Sequence, residues 1–145
     1  NGGGLYLGLS IQYLTVRNVS ITNNTAKSNG GGIYMDNNLV SNSFSHVYIA
    51  RNRAKLLNGG GLFIALNAEG TFNDSVFEDN TAANGGGIAM QTTLDGWLFE
   101  RVVFTRNKAV KTLVSGAKIN GGAVALLFDN GKNSPIRFQS CSFTE

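Results

Sequence analysis

The string Asn-Gly-Gly-Gly recurs along the chain, starting at Asn1, Asn29, Asn58 and Asn84, with an Asn-Gly-Gly-Ala variant at Asn120. These starts lie 28, 29, 26 and 36 residues apart, and a period of that size marks an array of stacked small units. Each start is followed by an apolar, variable, apolar triplet: Leu5 and Leu7, Ile33 and Met35, Leu62 and Ile64, Ile88 and Met90, Val124 and Leu126. A period-two alternation of this kind is a strand with one face buried. A second motif reads apolar, two variable residues, Asn, one variable residue, Ala. Its copies are Ile21 with Asn24 and Ala26, Ile49 with Asn52 and Ala54, Phe77 with Asn80 and Ala82, and Phe104 with Asn107 and Ala109. Two further columns align on these anchors: Val16, Phe44, Phe72, Phe99 and Phe138, then Val19, Val47, Ser75, Val102 and Cys141. Each unit therefore carries about three short strands separated by corners.

A leucine-rich repeat needs its own leucine spacing and a helical segment, and a propeller blade needs about 40 to 45 residues. Neither fits. A single-stranded parallel β-helix does, because a coil of short strands stacks each residue on its equivalent one coil away, about 4.8 Å along the axis. The crossover rule for parallel strands makes the coil right-handed. The expectation is an all-β solenoid of about five coils, with units 1–28, 29–57, 58–83, 84–119 and 120–145, cut from a longer protein. Stacked Val, Ile and Phe fill a narrow interior. At the corners, backbone polar groups need partners, and inward Asn side chains supply them by bonding the amides of neighbouring coils. Two ladders are expected: Asn24, Asn52, Asn80 and Asn107 at one corner, and Asn1, Asn29, Asn58, Asn84 and Asn120 at another. The following glycines supply positive φ or close backbone approach. Ala123 in the fifth unit implies that only the first two glycines are demanded.

Composition removes other classes. Charged residues are 14% of the chain and the net charge is +3, spread along its length, which excludes a basic-stripe nucleic-acid binder. No apolar run reaches the eighteen or so residues of a membrane helix. The 19 Gly and 18 Asn suit many tight turns. The single Cys cannot staple the chain internally, and the absence of a signal-like start places targeting information elsewhere.

The alternation of GGGLYL, GGGIYM, GGGLFI, GGGIAM and GGAVAL with ITNN, IARN, FEDN and FTRN resembles the repeats of the chlamydial polymorphic membrane proteins. That resemblance covers essentially the whole chain. It implies a right-handed parallel β-helix passenger, secreted by the autotransporter route, displayed at the outer membrane and active in adhesion.

The acids and bases bear on an enzymatic alternative. In register, Asn18, His46, Asp74, Arg101 and Ser140 form one outward column. His46, Asp74 and Arg101 there are the residues that would abstract a proton from a uronic acid; the bland reading is a solvated charge row. A glycosidase pair is poorly supported, since Asp74, Glu78 and Asp79 fall in one coil. No cofactor or metal is expected: Cys141 has no partner at ligand spacing, and no Walker lysine follows the glycines. Trp97 shares a column with Leu14, Asn42, Gly70 and Ile136, where Gly70 makes room for the indole. Arg51, Asp79 and Arg106 should form a salt-bridged row. Asn18, Asn23 and Asn73 open glycosylation sequons at outward positions. Residues 110–119 and 127–135 break the period; they are either neutral insertions or the loops on which any recognition is centred.

The sequence thus points to an extracellular or cell-surface β-helix scaffold with an adhesin-like recognition surface. The alternatives are a polysaccharide lyase, hydrolase or epimerase of the same fold, and a structural stalk or fibre. Expected partners are flanking coils or a capping partner, and a cell-surface protein or glycan of a host, with no nucleic acid.

Overall fold

A computed structural model describes residues 1–91, 96–110, 120–127 and 136–145. Nearly all of segments 110–119 and 127–135 therefore lies outside the described residues. The described residues contain no helix, and none is long and apolar enough to cross a membrane. The first coil contributes β1 (Leu5–Leu7), β2 (Thr15–Arg17), β3 (Ser20–Thr22) and β4 (Thr25–Ala26). The second contributes β5 (Ile33–Met35), β6 (Leu39–Ser45), β7 (Tyr48–Ala50) and β8 (Arg53–Ala54). The third contributes β9 (Leu62–Ile64), β10 (Ala68–Asn73), β11 (Val76–Glu78) and β12 (Thr81–Ala82). The fourth contributes β13 (Ile88–Met90), β14 (Trp97–Glu100), β15 (Val103–Thr105) and β16 (Lys108–Ala109). The last contributes β17 (Val124–Leu126), β18 (Ile136–Gln139) and β19 (Ser142–Thr144).

Equivalent strands of successive coils pair in parallel, giving the sheets β1-β5-β9-β13-β17, β2-β6-β10-β14-β18, β3-β7-β11-β15-β19 and β4-β8-β12-β16. This is a parallel β-solenoid. It completes about four turns rather than five, because the chain ends before the fifth coil reaches the Asn-x-Ala corner. Each full coil also holds four strands rather than three. The extra one is the two-residue segment ending at Ala26, Ala54, Ala82 and Ala109, too short to show a period in sequence.

The register stacks like on like. Val16, Phe44, Phe72, Phe99 and Phe138 are successive Cα partners. Phe44, Phe72, Phe99 and Phe138 stack with centroids 4.6, 5.6 and 4.9 Å apart. Phe77, Phe104 and Phe143 form a second stack at 5.2 and 4.8 Å, and Phe72 meets Phe77 edge-on. Offset and edge-to-face rings add to the area they bury, so two aromatic ladders lock adjacent walls together. Trp97 is fully buried. A side chain on Gly70 would lie 3.0 Å from its six-membered ring, and its Nε1–H donates to the Ala68 carbonyl at 2.7 Å. The Val19 column is less uniform: Val47, Ser75 and Val102 are buried, whereas Val19 and Cys141 are not.

The Asn-Gly-Gly-Gly corner uses its three glycines differently. The first (Gly2, Gly30, Gly59, Gly85 and Gly121) has φ between 53° and 64°. The second leaves no room for a Cβ, which at Gly60 would sit 2.3 Å from the Gly86 carbonyl oxygen. The third is constrained as well, contrary to the expectation drawn from Ala123. A Cβ at Gly32, Gly61 or Gly87 would approach the next coil's carbonyl oxygen to 2.6–2.7 Å. Ala123 belongs to the last coil, where no further carbonyl of this chain overlies it.

Candidate functional site

The Asn24 column is a continuous ladder. Asn52 Oδ1 accepts the Asn24 backbone N–H at 2.9 Å and Nδ2 at 3.1 Å, and Asn80 Oδ1 accepts the same pair from Asn52 at 2.9 and 3.1 Å. Asn107 Oδ1 accepts them from Asn80. Nδ2 of Asn52, Asn80 and Asn107 also donates to the carbonyls of Ile21, Ile49 and Phe77. The cause is the corner itself: the preceding residues Asn23, Arg51, Asp79 and Arg106 all have φ of 50–59°, and that turn leaves each Asn amide to be satisfied by the next coil's side chain. The second column runs the other way, with Asn58 N–H donating to Asn29 Oδ1 at 3.0 Å and Asn120 N–H to Asn84 Oδ1 at 3.0 Å. Asn84 Nδ2 closes the row onto Asn58 Oδ1 at 2.8 Å. These side chains sit at the rim of the wall, half-exposed or exposed, rather than inside it.

Asn18, His46, Asp74, Arg101 and Ser140 form a second left-handed corner, with φ of 49–54°. Each N–H of the first four donates to the next coil, from Asn18 to Ser45 through Arg101 to Gln139, so their side chains splay outward. Arg101 holds both oxygens of Asp74, Nε to Oδ1 at 2.6 Å and Nη2 to Oδ2 at 3.0 Å, and its third nitrogen pairs with Glu100. The guanidinium keeps the Asp74 carboxyl below the usual carboxylate range. The His46 side chain makes no hydrogen bond among the described residues. A base must have a lone pair aimed at a substrate; here the acid is capped by its cationic neighbour.

The neighbouring charge row is split. Arg106 pairs with Asp79, Nε to Oδ1 at 2.9 Å, and with Glu78. Arg51 turns to Asn23 Oδ1 at 3.2 Å instead of bridging Asp79. Of the sequon residues, Asn18 and Asn23 are exposed, while Asn73 is half-buried with its Oδ1 enclosed.

A concavity on the second sheet has no counterpart in these repeating rows. Between the pairs Leu39–Ala68 and Asn42–Gly70 the second coil holds one residue more than the third, a bulge. Ser41 occupies it with φ 53°, and Glu69 opposite accepts the Ser41 N–H at 3.1 Å and its hydroxyl at 3.2 Å. Bulges re-aim side chains and sharpen local twist. Beside it the wall dips into a cleft of about 500 Å³ that reaches Arg137 on β18. Asn42 lines the cleft, 2% exposed, with Nδ2 unpartnered. The sequence does carry a trace of it: Asn58 to Phe72 is one step shorter than Asn29 to Phe44.

Residues 18–36 and 74–91 match the Chlamydia polymorphic membrane protein repeat. The chain carries repeats of that type. Both matched stretches start at the left-handed corner, cross the Asn ladder and end just past the strand after the glycines. The polymorphic-membrane-protein repeat is thus the structural wall of the solenoid, and the cleft residues fall outside both matches. No curated protein and no solved structure matches the chain.

Proposed function

We infer that the chain is part of a surface-displayed β-helix scaffold whose outer wall acts in adhesin-like recognition. The observation that carries this reading is the contrast between faces of the same strands. Inside, one column reads Phe44, Phe72, Phe99 and Phe138, while the adjacent outward row reads Ser43, Thr71, Leu98 and Arg137. A solenoid whose interior repeats and whose exterior varies offers a rigid frame with coil-by-coil surface chemistry. The polymorphic membrane protein repeats support placement at the outer membrane or cell surface. The bidentate capping of Asp74 by Arg101 favours a scaffold over proton-transfer chemistry on that wall.

Two measurements test it. An antibody against the chain should label intact, unpermeabilised cells that make the protein, and the purified chain should compete with those cells for attachment to host cells. Labelling only after permeabilisation overturns surface display; unchanged attachment at saturating chain overturns the adhesin-like role.

A further inference from the structure

We propose that the cleft over β6, β10, β14 and β18 binds a carboxylated oligosaccharide. The inference rests on reading the chain as a recognition surface and names the ligand class of one site on it. Three features of the cleft define the chemistry.

The first is an unpaid donor. Asn42 Oδ1 accepts the Leu14 N–H at 3.1 Å, but its Nδ2 has no acceptor, although the residue is 2% exposed. Buried polar groups are overwhelmingly hydrogen-bonded, and an orphan calls for an explanation. Gly70, its partner in register on the next coil, lines the same cleft. An acceptor oxygen entering the cleft satisfies the Asn42 donor. The second feature is the mixture of groups on the walls. Ser43 and Thr71 offer hydroxyls in the outward row, their oxygens 3.5 Å apart, and Leu98 gives a small apolar face in the same row. Hydroxyls that both donate and accept, next to an apolar strip, match the alternating OH and C–H surface of a sugar. The third is Arg137. It is exposed, in register with Leu98, and makes no ion pair among the described residues. Guanidinium groups bind carboxylates in a two-pronged fashion, so Arg137 takes the acid. From Ser43 to Arg137 is three coils, about 14 Å along the axis, a span suited to a short oligosaccharide rather than a monosaccharide.

An acidic peptide is the competing occupant of the same charge. Peptides dock on sheets mainly by adding a strand at an edge, and here β6, β10 and β14 are each paired on both sides. Their main-chain groups are spent on the ladder. Recognition has to run through side chains, which favours the polyhydroxylated ligand.

The outward residues Thr71 and Leu98 line the cleft, so their backbone amide resonances report its occupancy, with the indole N–H of the single, buried tryptophan beneath as a secondary probe. The experiment titrates the ¹⁵N-labelled full chain with 3′-sialyllactose, tri-galacturonate, lactose and a Glu-rich peptide. At least one acidic sugar should shift the Thr71 and Leu98 amide resonances saturably, with lactose at least fivefold weaker. Arg137→Gln should remove most of that preference and Ser43→Ala should weaken all sugar binding, while Arg53→Gln on the fourth sheet leaves both unchanged. Absence of any saturable shift, equal binding of lactose, equal binding of the peptide, or indifference to both cleft variants overturns the proposal. None of these outcomes touches surface labelling or attachment, so failure of the cleft is distinguishable from failure of the display reading.

Discussion

Replacing Asn80 with Leu probes the interior ladder where it is most heavily bonded. Asn80 Oδ1 accepts two bonds from Asn52, and its Nδ2 donates to Ile49 O at 2.9 Å and Asn107 Oδ1 at 2.9 Å. After substitution Asn52 Nδ2 keeps Ile21 O, and Asn107 Oδ1 keeps the residue 80 backbone N–H. The Asn52 N–H loses its acceptor at a fully buried position, whereas Ile49 O, a ladder carbonyl between β7 and β11, loses only its side-chain donor. One orphaned buried N–H costs about 1–3 kcal/mol, and the variant should lose that amount. For a chain of this size that is a fall in Tm of about 4–12 °C, at about 4 °C per kcal/mol. Asn24→Leu is the matched control, from the same column with one neighbour instead of two. Its Oδ1 accepts nothing from a preceding coil of this chain, and Asn52 Oδ1 keeps the residue 24 N–H. That variant should cost less than about 1 kcal/mol. Thermal melts followed by circular dichroism compare them; equal Tm values for the two variants refute the claim that cross-coil bonding, rather than residue type, sets the cost.

Gly60→Ala should prevent folding or lower Tm severely, because the added Cβ would meet backbone at 2.3–2.6 Å, whereas Gly8→Ala, whose nearest contact is 3.5 Å, should be silent in the same melt. Arg101→Ala should raise the Asp74 carboxyl toward the ordinary carboxylate range in an NMR pH titration and leave Asp79, held down by Arg106, where it is. Because both carboxyls are depressed in the folded state, their contribution is present above the ordinary carboxylate pKa and fades as pH falls through the folded values; both are exposed, so the melt should barely move. Pectin and alginate incubated with the full-length protein, with and without calcium, should yield no cleavage product, and a product lost in Asp74→Ala or Arg101→Ala would replace the scaffold reading with an enzyme.

What the sequence made legible is what repeats. Stacked Phe, Asn and Gly columns show because each coil meets its own copy under the same constraint, so Phe72 faces Phe44 and Phe99 and all three obey one rule. The fourth strand escaped because two residues carry no period, and the left-handed corners escaped because Asn18, His46, Asp74 and Arg101 share a backbone angle rather than a side-chain type. The Arg51 side chain shows the limit of register alone: position brings it to the row of Asp79, but its guanidinium bonds Asn23 on the preceding coil instead. The cleft was the least legible feature. It lies beside a single residue present in the second coil and missing in the third, and such an offset looks like noise until the strands on both sides fix the register.

The register of coil on coil is the claim on which everything else depends, and an engineered disulfide measures it directly. Val76 and Val103 are Cα partners on adjacent coils of the third sheet, a separation of about 4.8 Å that falls within disulfide range. In a Cys141→Ser background, Val76→Cys with Val103→Cys should oxidise to an intrachain bond that survives proteolysis as one cross-linked peptide pair. The pair Val76→Cys with Thr105→Cys, displaced by two residues along the strand, should remain reduced under the same conditions. Cross-linking of the displaced pair in preference to the aligned one, or of neither, would contradict the stacked solenoid.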